Sequence, residues 1–165
     1  LTARGDFIAK FGGVFEHSPF IAERAYDAGF VTVPLTAKGL HDGMVLEFRN
    51  AGREERLGIL RAHPDLAGKL AISSELTEDS RKEQAGAGLD RLSPQEHARF
   101  TELNSAYTQK FGFPFIIAVK GLNRQDILAA FESRIDNGFD EEFETAAEQV
   151  ERIALLRLQA LLPER

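Results

Sequence analysis

The sequence predicts an all-α fold, a single-domain helical bundle with one buried extended segment near residues 113–119. Three observations lead there. Apolar residues recur at helical spacing along most of the chain, start and stop signals bracket those stretches, and only one short apolar run reads as extended. With 165 residues, 43% hydrophobic and 28% charged, the chain has the size and balance of one globular domain, and residues 1–165 are read without an internal boundary.

Ser18-Pro19 reads as an N-cap followed by proline at the first helical position, with Gly29 as the stop. Leu40, Met44, Val45 and Phe48 form the apolar face of the next helix, which Asn50-Ala51-Gly52 ends. The stretch from Arg53 to Ala62 repeats the pattern with Leu57 and Leu60, and His63-Pro64 breaks it because proline disfavours helical backbone in the residue before it. Ser80-Arg81-Lys82-Glu83 has capping-box spacing. So has Ser93-Pro94-Gln95-Glu96, which opens a helix carrying Phe100, Leu103 and Tyr107. Ile127, Leu128, Phe131 and Ile135 mark a further helix stopped by Asn137-Gly138, and the last helix runs from about Asp140 to Leu162. Phe113-Pro-Phe-Ile-Ile-Ala-Val119 has strand propensity but no second strand to pair with. It is expected to be buried extended backbone whose main-chain groups find other partners, a ligand among the candidates.

Composition excludes several classes of function. Cysteine is absent, which removes thiolate nucleophiles, disulfide scaffolds and Cys-ligated metals. A net charge of −6 argues against a nucleic-acid partner. No apolar run approaches the roughly 18 residues of a membrane span, and Leu1 to Asp6 lacks the apolar core of a signal peptide. The expectation is a soluble, acidic, cytoplasmic chain with a small-molecule ligand. No Gly-rich phosphate loop and no nucleophile elbow appears, Gly86-Ala87-Gly88 being too short for the former.

Three residues carry chemical promise. His63 stands at a forced helix break; next to a helix N-terminus beginning at Pro64 it would be a neutral imidazole able to take or give a proton, and otherwise it caps a turn. His17, His41 and His97 have weaker cases, and no histidine pair has metal-ligand spacing. Glu83 is either the third residue of a capping box or, with Ser80 and Gln84, part of a ligand-facing helix start. Arg157 falls on the stripe Phe143, Ala147, Val150, Ala154, Leu161 of the last helix. A guanidinium directed at a core keeps its charge, so it needs a buried carboxylate, a route to solvent or an anionic ligand. If it faces an open pocket, Arg157→Met is expected to be as stable as the parent protein.

Read together, Phe11-Gly-Gly-Val-Phe-Glu-His-Ser-Pro-Phe20, Arg61-Ala-His-Pro-Asp-Leu66, Glu83-Gln-Ala-Gly-Ala-Gly-Leu89, Asn104-Ser-Ala-Tyr107 and Lys110-Phe-Gly-Phe-Pro-Phe-Ile-Ile-Ala-Val-Lys-Gly121 resemble the 2-oxo-4-hydroxy-4-carboxy-5-ureidoimidazoline (OHCU) decarboxylases. The resemblance runs from about Phe7 to Leu162, and the His-Pro-Asp-Leu and Phe-Gly-Phe-Pro-Phe blocks in that order are jointly specific. It implies His63 as catalytic histidine, with Pro64 beside it at the substrate. It implies Glu83 as catalytic carboxylate within a binding stretch of Ser80, Arg81, Lys82, Glu83 and Gln84, and Arg157 as a third catalytic residue. The backbone of Phe115, Ile116, Ile117, Ala118 and Val119 would contact substrate. Phe20 departs from the Trp common after Ser-Pro, a packing change. The resemblance further implies an all-helical homodimer and cofactor-free decarboxylation to (S)-allantoin in purine catabolism, after urate oxidase and hydroxyisourate hydrolase. Two other readings are a non-catalytic helical interaction module and a hydrolase acting on a ureide.

Overall fold

The computed structural model describes residues 3–29, 35–63, 78–89 and 91–162. Among them are eight helices: α1 (Ala3–Phe11), α2 (Phe20–Asp27), α3 (Ala37–Asn50), α4 (Arg53–Ala62), α5 (Glu78–Gly86), α6 (Pro94–Phe111), α7 (Arg124–Arg134) and α8 (Phe139–Leu161). No strand occurs among the described residues. The chain divides into two units, one of residues 1–62 with 150–165 and one of residues 63–149, so α8 contributes to both.

In the first unit α2 packs against α1 and α3. The predicted face of α3 is the buried one, with Leu40, Met44, Val45 and Phe48 inside. Thr36 caps this helix, its hydroxyl accepting from the Gly39 amide. Ser18 does not cap α2 as its sequence suggests. Pro19 occupies the cap in helical conformation, and the Ser18 hydroxyl donates instead to the Glu16 carbonyl. Gly29 ends α2 as expected, in the left-handed region at φ +81° where glycine meets no Cβ penalty. The α3 face is tied to α8: Arg49 grips the Glu151 carboxylate through two hydrogen bonds of 2.8 and 3.0 Å, and His41 Nε2 lies 2.8 Å from the Glu151 carbonyl oxygen.

In the second unit α6 packs against α7. Ser93 and Glu96 form the predicted capping box, each bonding the other's backbone amide, and Gly112 closes α6 at φ +77°. Ser93→Ala is expected to cost about 1 kcal/mol, read in a thermal melt as a fall of about 3 °C. Asn123 and Asp126 form a second capping box on α7, which ends at Arg134, three residues before the predicted Asn137-Gly138 stop. An aromatic cluster fills the core: Tyr107 meets Phe111, Phe113, Phe115 and Phe131, and the Phe115 and Phe131 rings stack at 4.0 Å.

Candidate active site

His63 directly follows α4 and is buried at 7% exposure, with Nε2 inside. Pro64 and the turn after it lie outside the described residues, so the helix-N-terminus argument for a neutral ring falls there too.

Ser80 and Glu83 do not form a capping box. Helix α5 already contains Glu78, so Ser80 is a residue of its first turn and not its cap. One turn apart, Ser80 and Gln84 both point inward and are buried, Glu83 is half-buried, and the side chains of Arg81 and Lys82 face solvent. Gly86-Ala87-Gly88 is the end of this helix. Gly88 sits at φ +79°, with Leu89 N donating to Gln84 O at 2.9 Å and Gly88 N to Ala85 O at 3.0 Å, the paired bonds of a Schellman motif.

Residues 114–119 are neither helix nor strand, and Phe115, Ile116, Ala118 and Val119 are buried while Ile117 is half-buried. Two of its main-chain groups are held by side chains. Ile116 O accepts from Arg134 NH1 at 2.7 Å, and Ala118 N donates to Gln149 Oε1 at 2.9 Å. Arg134 in turn forks onto Glu142, with NH2 at 2.8 Å from Oε2, and its guanidinium covers the Phe115 ring at 4.3 Å. Glu142 is fully buried and also accepts from the Tyr107 hydroxyl and from Asn137 Nδ2. Burial, and then the bond to Glu142, push the Tyr107 hydroxyl's pKa far up, so it stays a donor.

Arg157 lies in the first unit, buried as its stripe predicts, with Phe143, Ala147, Val150 and Ala154 of the same stripe also inside; Leu161 emerges at the helix end. It is not directed at open solvent. Its NH2 is 2.8 Å from Glu16 Oε2, both side chains being all but inaccessible, and NH1 donates to Gly13 O at 3.3 Å. A short coil after α1 builds this contact. Gly12 sits so close to α1 that a Cβ would come within 2.6 Å of Ile8 O, a clash with backbone. Val14 N then bonds Phe11 O, Ser18 N bonds Phe15 O, and His17 turns through the left-handed region at φ +52°, which leaves the Glu16 side chain inside. The pair overturns the expectation that Arg157 can be removed without loss of stability.

Sequence reasoning missed Glu16, Arg134, Glu142 and Gln149. A signal existed for Arg134, which stands one turn beyond Phe131 on the face of α7 that Ile127 and Phe131 bury. Among the described residues no cluster of three or more His, Cys, Asp or Glu could hold a metal ion, and no helix is long and apolar enough to cross a membrane.

The all-helical chain has counterparts among decarboxylases. The model of the OHCU decarboxylase family matches residues 2–159. A 2-oxo-4-hydroxy-4-carboxy-5-ureidoimidazoline decarboxylase of Halalkalicoccus jeotgali is 42% identical over 94% of this chain and 84% of its own. A crystal structure of (S)-allantoin synthase superposes with a TM-score of 0.76 at 30% identity, covering 98% of this chain, which spans 51% of that one. A crystal structure of OHCU decarboxylase in the presence of (S)-allantoin gives 0.69 at 25% identity, covering 88% of this chain and 92% of that one. The chain belongs to the OHCU decarboxylase family.

Proposed function

We propose that the chain decarboxylates 2-oxo-4-hydroxy-4-carboxy-5-ureidoimidazoline to (S)-allantoin, with His63 as proton carrier. The observation that carries this reading is a family match running from residue 2 to 159, a span that takes in His63, Glu83, Arg157 and the 115–119 segment. The substrate has hydroxyl and carboxylate on one ring carbon beside a C=N bond. When the carbon–carboxylate bond breaks and CO2 leaves, its electron pair forms a C=C bond to the neighbouring carbon. The C=N electrons move onto nitrogen, which takes a proton. The resulting enol then loses its hydroxyl proton and gains one on the ureido-bearing carbon. The substrate is its own electron sink, so the chain's residues have only to bind, orient and move protons.

His63 serves the hydroxyl or the nascent enol and delivers the proton to one face, which sets the S configuration. Glu83 orients His63 or holds the ureido N–H groups. Arg157 binds a carbonyl or carboxylate oxygen and contributes to rate only as far as that contact strengthens when charge shifts. Pro64, Ser80, Arg81, Lys82 and Gln84 line the substrate, and the main chain of residues 115–119 fixes its ring. The family resemblance also supports a homodimer in the cytoplasm that acts after urate oxidase and hydroxyisourate hydrolase.

The test is incubation with freshly generated substrate while circular dichroism follows chiral allantoin. Rapid appearance of the S enantiomer with CO2 is expected. Racemic product at the uncatalysed rate would mean a helical interaction module, and release of ammonia or urea a ureide hydrolase. Glu83→Gln is expected to lose activity at least tenfold. Its stability should change by less than about 1 kcal/mol, since the residue is half-buried and glutamine keeps its size and can still accept a hydrogen bond. Full activity in Glu83→Gln would remove the carboxylate from the mechanism.

A further inference from the structure

We infer that Arg134, held by Glu142, and Gln149 are positioning residues for substrate, because they occupy one main-chain edge of the 115–119 segment and thereby commit the other edge to the ligand. The inference rests on the decarboxylase reading above and adds residues that have no part in that reading.

Consecutive residues of an extended chain direct their main-chain groups to opposite edges, and alternate residues share an edge. The carbonyl of Ile116 and the amide of Ala118 therefore lie on one edge, and these are the two groups taken by Arg134 NH1 and Gln149 Oε1. The amide and carbonyl of Ile117 belong to the opposite edge. The Val119 carbonyl is used in the turn that follows, where it accepts from Leu122 N at 2.9 Å with Gly121 at φ +81°.

The brace is rigid for a physical reason. Arg134 has a planar fork with two faces of use: Nε and NH2 engage Glu142 while NH1 reaches the carbonyl, so the ion pair fixes the direction of the third bond. Glu142 cannot swing away, because Tyr107, Asn137 and Arg134 hold its two oxygens from three sides. The Phe115 ring is clamped between the guanidinium and the Phe131 ring, stacked at 4.0 Å and 7°. A sliding or rotating segment would break all of these together. Stability alone is a weak reason for a buried charge network, since apolar residues of similar size often do as well or better. A role in aiming the segment accounts for its charge.

The test separates aiming from mere stability. Arg134→Met/Glu142→Gln removes the bond to Ile116 O without stranding a buried charge, and Gln149→Leu removes the bond to Ala118 N. Gln149→Glu keeps an acceptor there and serves as the rescue. Ser93→Ala weakens the cap of α6 while touching no member of the network. KM and kcat on freshly generated substrate, and the affinity for (S)-allantoin, are measured on each folded protein. Both loss variants should raise KM at least tenfold and weaken (S)-allantoin binding in parallel, with kcat within threefold. Gln149→Glu should restore KM, and Ser93→Ala should melt lower with KM unchanged. Wild-type KM and product affinity in folded loss variants, whatever their melting temperatures, would reduce the network to a stabilising one and overturn the inference. Failure of the decarboxylase reading shows elsewhere, in the parent protein neither making nor binding (S)-allantoin, and would overturn both.

Discussion

His63→Asn nearly abolishes enzymatic (S)-allantoin formation while the protein stays folded. The expected loss is that of one general acid–base group, about 10²–10⁴-fold. Asparagine is close in size to the imidazole and can satisfy a hydrogen bond from the same buried place, but it cannot exchange a proton near neutral pH. His63 is buried at the end of α4, so the substitution should change stability by no more than about 2 kcal/mol. Circular dichroism at 222 nm and a thermal melt report the fold, and the chiral signal of allantoin reports the chemistry. A second readout follows from the mechanism: any product that forms should be racemic, because protonation in bulk water has no preferred face. Turnover near the parent rate by folded His63→Asn, with S product, would falsify the proton-carrier assignment.

The sequence-legible parts of this fold are those in which one local signal has one structural meaning. Ser93-Pro94-Gln95-Glu96 makes a capping box because nothing before it can be helical without losing the cap, and proline fits the first helical position. Ser80-Arg81-Lys82-Glu83 has the same spacing and makes none. The preceding Glu78 and Asp79 are acidic, suit a helix start themselves, and are already in α5. The spacing of a box says how its members pair once the start is fixed, and it does not fix the start. The extended segment was legible as buried backbone in need of partners. Which partners was not, because Arg134 and Gln149 reach it from helices that begin later in the chain.

Buried acids were the larger gap. Asp140-Glu141-Glu142 reads as a solvated, dipole-favoured helix start, and for Asp140 and Glu141 that is how it stands. Glu142 is the exception, fully buried, because Arg134 and Tyr107 wait on the inner side. Glu16 is hidden in the same way inside Phe11-Gly-Gly-Val-Phe-Glu-His. The angular argument for Arg157 required a buried carboxylate, an escape to solvent or a ligand, and the carboxylate lies almost a full chain length away, where no periodicity could point to it.

That carboxylate changes what removal of Arg157 does. Arg157→Met keeps the aliphatic stem and a good helix former but deletes the charge facing Glu16. Glu16, at 1% exposure, then loses its 2.8 Å contact with the guanidinium, while the largely exposed His17 imidazole lies 3.8 Å from its other oxygen. Breaking one side of such a pair costs about 3–5 kcal/mol, which in a chain of this size lowers the melting temperature by roughly 10 °C. Lost activity in Arg157→Met therefore mixes a lost fold with a lost contact. The double variant Glu16→Met/Arg157→Met unmixes them. It removes both charges and fills the space with apolar groups of similar volume, a change that is often neutral or stabilising. It is expected to melt within a few degrees of the parent, well above the single variant. If Arg157 binds a substrate oxygen, the stable double variant has kcat/KM reduced at least tenfold, and Arg157→Lys recovers little of it because an ammonium lacks the planar fork that can hold Glu16 and a ligand at once. If instead the double variant is stable and turns over at the parent rate, the arginine is structural and leaves the catalytic set.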